Sequence, residues 1–110
     1  MSKATGNRVR IEIPHEKLAE FCKKWKIKEL SLFGSVLRDD FGPESDIDVL
    51  VSFATGADWG LLDHLQMEEE LKAIFGRSVD MVTRRSIERS DNWIRRKAIL
   101  ESAISCYVER

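Results

Sequence analysis

Apolar residues recur along this chain with two periods, and the switches between them divide it into elements. Val9, Ile11 and Ile13 alternate with polar neighbours, which predicts a short extended segment after a polar start. From Pro14 the period changes. Proline suits the first turn of a helix, and Leu18, Phe21, Cys22 and Trp25 follow at the i, i+3, i+4, i+7 spacing of one helical face. Lys23, Lys24, Lys26 and Lys28 gather at its end, where cations meet the negative pole of the helix dipole. Residues 29–33 (ELSLF) read as a first strand that runs into Gly34-Ser35. A short helix is expected from Ser35 to about Asp39, ended by the turn signal Phe41-Gly42-Pro43. Residues 46–53 read as a second strand with Ile47, Val49 and Val51 on one face.

Ala54 to Asp58 reads as a loop. A helix is expected from about Trp59 to Phe75, with Gly76 placed to end it. Its run Glu68-Glu69-Glu70 reads as a solvated face. Residues 78–83 (SVDMVT) make a third strand, and a last helix is expected from about Asp91 to Val108, capped by Ser90 or Asp91. The order α-β-α-β-α-β-α implies an α/β (α+β) domain, a small sheet backed by helices.

Composition narrows the picture. A chain of 110 residues is read as one domain, and its 43% of apolar residues supply one modest core. Eighteen basic residues against nineteen acidic leave a net charge of −1, which argues against nucleic acid as a direct partner. Cys22 and Cys106 have no metal-ligand or redox spacing and read as free thiols of a reducing compartment. No apolar run approaches the roughly 18 residues of a membrane span, and the first residues lack the apolar stretch of a secretion signal. The expectation is a cytoplasmic protein without a membrane partner.

The candidate chemistry sits on the second strand. Asp46 and Asp48 are two apart, so in an extended strand they point the same way with Cα atoms about 6.5 Å apart. Two carboxylates aimed together repel unless a cation lies between them, and an oxygen-only set suits Mg²⁺. Asp80 is the only acid in the third strand, and a charge in so apolar a run calls for a partner. Upstream, Gly34 permits close backbone approach to a phosphate, and Ser35 can hydrogen-bond it while capping the helix that follows. Two metal ions could then stabilise the attacking and leaving oxygens of an in-line displacement. No P-loop or kinase motif is present, so attack at the α-phosphorus is favoured over γ-phosphoryl transfer.

Gly34-Ser35, ten residues, then Asp46-Ile47-Asp48 resembles the signature of the polymerase-beta-like nucleotidyltransferase superfamily. The likeness runs from LSLFGSVLRDDFGPESDIDVLVSF through FGRSVDMVT to RRKAILESAISCY. Within that superfamily the chain is similar to the minimal nucleotidyltransferases, the antitoxin half of HEPN–MNT toxin–antitoxin pairs. Residues 14–110 would be that domain and residues 1–13 an N-terminal extension. The resemblance implies a sheet with an antiparallel component and a third carboxylate, carried onto Asp80, that accepts the acceptor's proton. It implies Mg²⁺, two ions, at Asp46, Asp48 and Asp80, with ATP as substrate held at Gly34 and Ser35. It also implies transfer of AMP to a tyrosine of a HEPN-family toxin, an RNase, in a hetero-oligomer. Two alternatives stay open: an antitoxin that acts by contact alone, and an enzyme that modifies a small-molecule hydroxyl.

Other residues receive blander readings. His15 and His64 read as boundary histidines, and Trp25, Trp59 and Trp93 as core or interface anchors, with Trp59 a candidate for base stacking. Arg38 stands between a phosphate contact and a solvated role. The basic residues between Arg84 and Lys97 read as a solvated loop and helix face; because they follow the Asp80 strand, a place by the mouth of the site is the alternative. The last helix, with Trp93, Ile94, Leu100, Ile104, Tyr107 and Val108, has more apolar positions than one covered face needs, so part of it is expected to meet a partner.

Overall fold

The computed structural model describes residues 13–37, 42 and 45–109, with the Ser35 side chain excepted. The extended segment expected from Val9, Arg38, the end of the short helix, and Phe41 and Pro43 lie outside the described residues. In chain order the elements are α1 (His15–Lys24), β1 (Ile27–Phe33), a 3-10 turn (Gly34–Leu37), β2 (Ile47–Phe53), α2 (Leu61–Phe75), β3 (Val79–Thr83), α3 (Arg84–Glu88), α4 (Trp93–Ser102) and β4 (Ile104–Val108).

The four strands form one sheet in the order β3-β2-β1-β4. β1 runs antiparallel to both β2 and β4, while β2 and β3 are parallel. The parallel pair is joined through α2, because two parallel strands cannot be linked by a tight turn. The mixed α+β sheet is the one expected, including its antiparallel part.

The end of the chain differs from the expectation. The last helix stops at Ser102, Ala103 turns to an extended backbone (φ −63°, ψ 136°), and Ile104–Val108 form β4 against β1. Ile104, Cys106, Tyr107 and Val108 are strand-favouring types, and without them the outer edge of β1 would expose unpaired backbone groups. Pairing therefore overrides the helical spacing of the apolar residues. α3 was also unforeseen; Thr83 accepts a hydrogen bond from Ser86 N–H (3.1 Å) and caps it.

The sheet buries both faces, unequally. Leu30, Leu32, Ile47, Val49 and Val51 meet Leu18, Phe21 and Cys22 of α1 and Met67 and Leu71 of α2 in the main core. On the other face, Phe33 and Leu50 pack with Ile87 of α3 and Ile99 of α4 in a smaller cluster. Gly76 ends α2 in the left-handed region (φ 72°), as its position suggested.

Glu70 holds α1 to α2. Its carboxylate accepts from Trp25 Nε1 (2.9 Å), Lys24 Nζ (2.7 Å) and Gln66 Nε2 (3.0 Å). Desolvation pushes the Glu70 carboxyl upward, but these three donors together outweigh it and hold it below the usual range. The neighbouring Glu68 also has a partner, since it accepts from the Met81 N–H of the edge strand β3 (3.1 Å). Two of the three acids in the run are thus structural, contrary to the solvated reading. Removing the Glu70 carboxylate should cost about 1 kcal/mol through the lost Trp25 and Lys24 bonds. Urea unfolding of Glu70→Ala checks this; an unchanged midpoint would refute it.

Burial pushes the Cys22 thiol up to about 12, helped by nearby Cys106, and the Cys106 thiol up to about 11. Both are free, as expected. Among the described residues, no helix is long and apolar enough to cross a membrane.

Candidate active site

Asp48 is the second residue of β2, and the register sets it between Phe33 of β1 and Asp80 of β3. Residues paired across neighbouring strands point to the same face, with strands about 4.8 Å apart. Asp48 and Asp80 therefore stand side by side on the face opposite Ile47, Val49 and Val51. Asp46 shares the parity of Asp48 and precedes the strand by one residue. Asp48 is half-buried, while Asp46 and Asp80 are exposed. On the same face, Phe33 beside Asp48 and Leu50 further along close into the small core under α3 and α4. Among the described residues, the carboxylates thus lie at the edge of the packed part of this face.

The Gly-Ser turn lies directly on Asp48. Gly34 has φ +77°, and a Cβ added there would overlap Asp48 Oδ2 and stand 3.2 Å from Asp48 Cγ. Both the backbone conformation and the lack of space demand glycine. Ser35 belongs to the 3-10 turn by its backbone; its hydroxyl, the basis for a phosphate contact, falls outside the described residues.

The three carboxylates share a face without closing into a set. Among the described residues, no three His, Cys, Asp or Glu side chains are grouped as a metal would need. The donor chemistry suits a hard cation: all three are carboxylates, and Asp48 and Asp80 stand in register.

One residue escaped the reading of the sequence. Arg77 Nη2 donates to the carbonyls of Gly42 (2.5 Å) and Ser45 (3.0 Å), and so ties the segment before Asp46 to the start of β3. Its only signal in the sequence was its place just ahead of the third strand.

Trp59 is a core anchor, as read from the sequence, and not a base-stacking platform: its Nε1 donates to the Trp25 carbonyl (2.8 Å), and the two indoles meet edge to face at 5.1 Å against the main core. Arg84 and Arg85 are not at the mouth of the site. They line a cavity of about 350 Å³ with Val51, Ser52 and Phe53, at the opposite end of β2 from Asp46 and Asp48, and Arg84 pairs with Glu88 (3.1 Å). His64 packs edge to face on Phe53 and lines a cavity with Thr83 and Arg85, at that same end of the sheet.

A glycine-bearing turn is pressed on a strand carboxylate, with a second carboxylate in register beside it. A family profile described as a nucleotidyltransferase domain matches residues 15–106. The chain belongs to this nucleotidyltransferase family. A Methanocaldococcus jannaschii protein, named as a candidate protein adenylyltransferase, is 37% identical over 73 residues, covering 66% of this chain and 71% of the relative. The protein adenylyltransferase MntA of Thermococcus cleftensis is 34% identical over 69 residues, covering 63% and 68%.

Among solved structures, one described as a candidate minimal nucleotidyltransferase aligns with a TM-score of 0.63 at 31% identity, covering 82% of this chain and 86% of that one. A toxin–antitoxin structure with AMP-PNP aligns at 0.67, with 18% identity and coverage of 89% and 76%. An MNT antitoxin structure in complex with a tri-AMPylated Shewanella oneidensis HEPN toxin aligns at 0.57, with 18% identity and coverage of 86% and 70%. These two support the fold. The chain is a minimal nucleotidyltransferase in sequence and in fold.

Proposed function

We propose that this nucleotidyltransferase is the antitoxin of a toxin–antitoxin pair and transfers AMP from ATP to a tyrosine hydroxyl of a HEPN-family RNase. The observation that carries the reading is the Gly34–Asp48–Asp80 arrangement on one sheet face, in a chain whose named relatives are protein adenylyltransferases. Asp46 and Asp48, with Asp80, would hold Mg²⁺. When bound, the metal supplies charge neutralisation at the triphosphate. The Gly34 turn lets the nucleotide's phosphates approach the strand ends. Asp80 takes the proton of the tyrosine hydroxyl, whose pKa of about 10 is lower than a serine's and eases that step. The phenolate oxygen bonds to the α-phosphorus, the bond from that phosphorus to the bridging oxygen breaks, and pyrophosphate leaves. The phosphodiester places negative charge on the toxin, where an RNA phosphate would otherwise bind, and so silences it.

A second reading has its own observation. Trp93 and Ile94 at the start of α4 are 60% and 64% exposed, and Leu61 and Leu62 at the start of α2 are 75% and 79% exposed. These are surfaces that contact alone could use. The expected partner-facing positions Ile104 and Tyr107 belong instead to β4 and pack against the main core. The two readings separate in one experiment. Purified protein, a HEPN-family RNase, ATP and Mg²⁺ are incubated, and the RNase is digested and sequenced by mass spectrometry. AMP on a tyrosine, removable by phosphodiesterase with return of RNase activity, is the expected result. Inhibition with an unmodified RNase would favour contact.

A further inference from the structure

Asp46 differs from the other two carboxylates in how it is held. Asp48 and Asp80 are fixed by the strand ladder, whereas Asp46 lies one residue outside β2 with an exposed side chain. Its backbone is held at the two peptide planes that flank it. The plane entering Asp46 carries the Ser45 carbonyl, which accepts from Arg77 Nη2 at 3.0 Å. The plane leaving it carries the Ile47 N–H, which donates to the Ser78 carbonyl at 2.9 Å. Two consecutive residues at the entrance to β3 therefore fix both sides of Asp46.

Arg77 does more than meet one carbonyl. The same Nη2 takes the Gly42 carbonyl at 2.5 Å. Gly42 and Ser45 close on each other as well, through Ser45 N–H to the Gly42 carbonyl (3.0 Å) and Gly42 N–H to Ser45 Oγ (3.1 Å). A planar guanidinium, partly buried, thus bridges the carbonyls of Gly42 and Ser45, the second of them just before Asp46. A lysine ammonium would meet the same carbonyls from a flexible stem without a fixed plane.

We infer that Arg77 is a positioning residue: it sets the direction of the Asp46 carboxylate relative to Asp48 and Asp80 through the Ser45–Asp46 peptide plane. The inference rests on the proposed reading of Asp46 as a ligand of the divalent ion. Its physical force is that misplacing a reacting group by about 1 Å can cost roughly 10²-fold in rate. Residues behind metal ligands commonly alter affinity about 10- to 100-fold.

The test uses the full chain with Arg77→Ala and Arg77→Lys. Three quantities are read: Mn²⁺ binding by electron paramagnetic resonance, AMP transfer with kcat and the KM for ATP separated, and residue-resolved amide hydrogen exchange. Arg77→Ala should weaken Mn²⁺ binding about tenfold. It should lower kcat about 10²-fold with little change in KM, and exchange should quicken at Ser45 and Ile47 while β1 amides stay protected. Arg77→Lys should recover part of both losses. Wild-type Mn²⁺ affinity and kcat in Arg77→Ala would overturn the inference. So would losses matched by faster exchange throughout the sheet, which mark a merely structural role. If Arg77→Ala does not fold, Arg77→Lys decides: a wild-type melt with weakened Mn²⁺ binding supports the inference, and unchanged binding overturns it. If wild-type protein binds Mn²⁺ but transfers no AMP, the proposed function fails, and the role of Arg77 is still judged by Mn²⁺ binding and exchange.

Discussion

Asp48→Asn is expected to abolish AMP transfer and leave the fold in place. Asp48 sits between the Gly34 turn and Asp80, so it is the centre of the carboxylate face. The substitution keeps the size of the side chain and removes the charge that would bind the divalent ion. A metal at such a site contributes several kcal/mol to the transition state, so the loss should reach about 10³-fold or more. Stability should not fall in parallel. Asp48 neighbours a second carboxylate across the parallel ladder, and removing one of two adjacent negative charges relieves repulsion when no metal is bound. The expected pattern is therefore a dead enzyme with an unchanged or slightly higher melting temperature in chelator. Asp46→Asn should behave similarly in transfer. Turnover and thermal melts with and without Mg²⁺ check this; normal turnover in Asp48→Asn would remove the metal assignment.

Gly34→Val should damage both function and fold. At φ +77° a branched side chain is strained by about 1–2 kcal/mol before any contact is counted. The added atoms would also run into the Asp48 carboxylate, which must then turn aside. Displacing the ligand by about 1 Å should lower transfer roughly 10²-fold. For a domain of this size each kcal/mol lost lowers the melting temperature by about 4–8 °C. A clear fall in melting temperature with loss of transfer is expected, and Gly34→Ala should show the same direction with a smaller fall. A Gly34→Val protein that melts and transfers like wild type would mean that this turn does not press on the site.

The site was more legible than the end of the fold. Asp46, Asp48 and Gly34 announce themselves by spacing, because strand parity and a glycine-specific backbone are local properties. Asp80 was legible as the one acid in an apolar strand, and the register then set it beside Asp48. β4 was not legible: Ile104 and Tyr107 continue the apolar spacing of α4, and only the unpaired edge of β1 makes them a strand. Glu68 and Glu70 were misread for a related reason. Their partners, Met81 N–H and Trp25 Nε1, lie on other elements, and a surface-like acidic run carries no mark of that. Arg77 belongs with them. Its bonds reach back 32 and 35 residues to a turn whose closure only the folded chain displays.

The account stands or falls on whether the carboxylate face transfers AMP to the partner. The most direct measurement is the intact mass of a HEPN-family RNase after incubation with ATP, Mg²⁺ and either wild-type protein or the Asp46→Asn/Asp48→Asn double variant, with RNase activity followed in the same samples. The account predicts a mass increase of one or more AMP residues and loss of RNase activity with wild type, and an unmodified, active RNase with the double variant at catalytic concentrations. An RNase silenced equally by both proteins, with no change in mass, would contradict it.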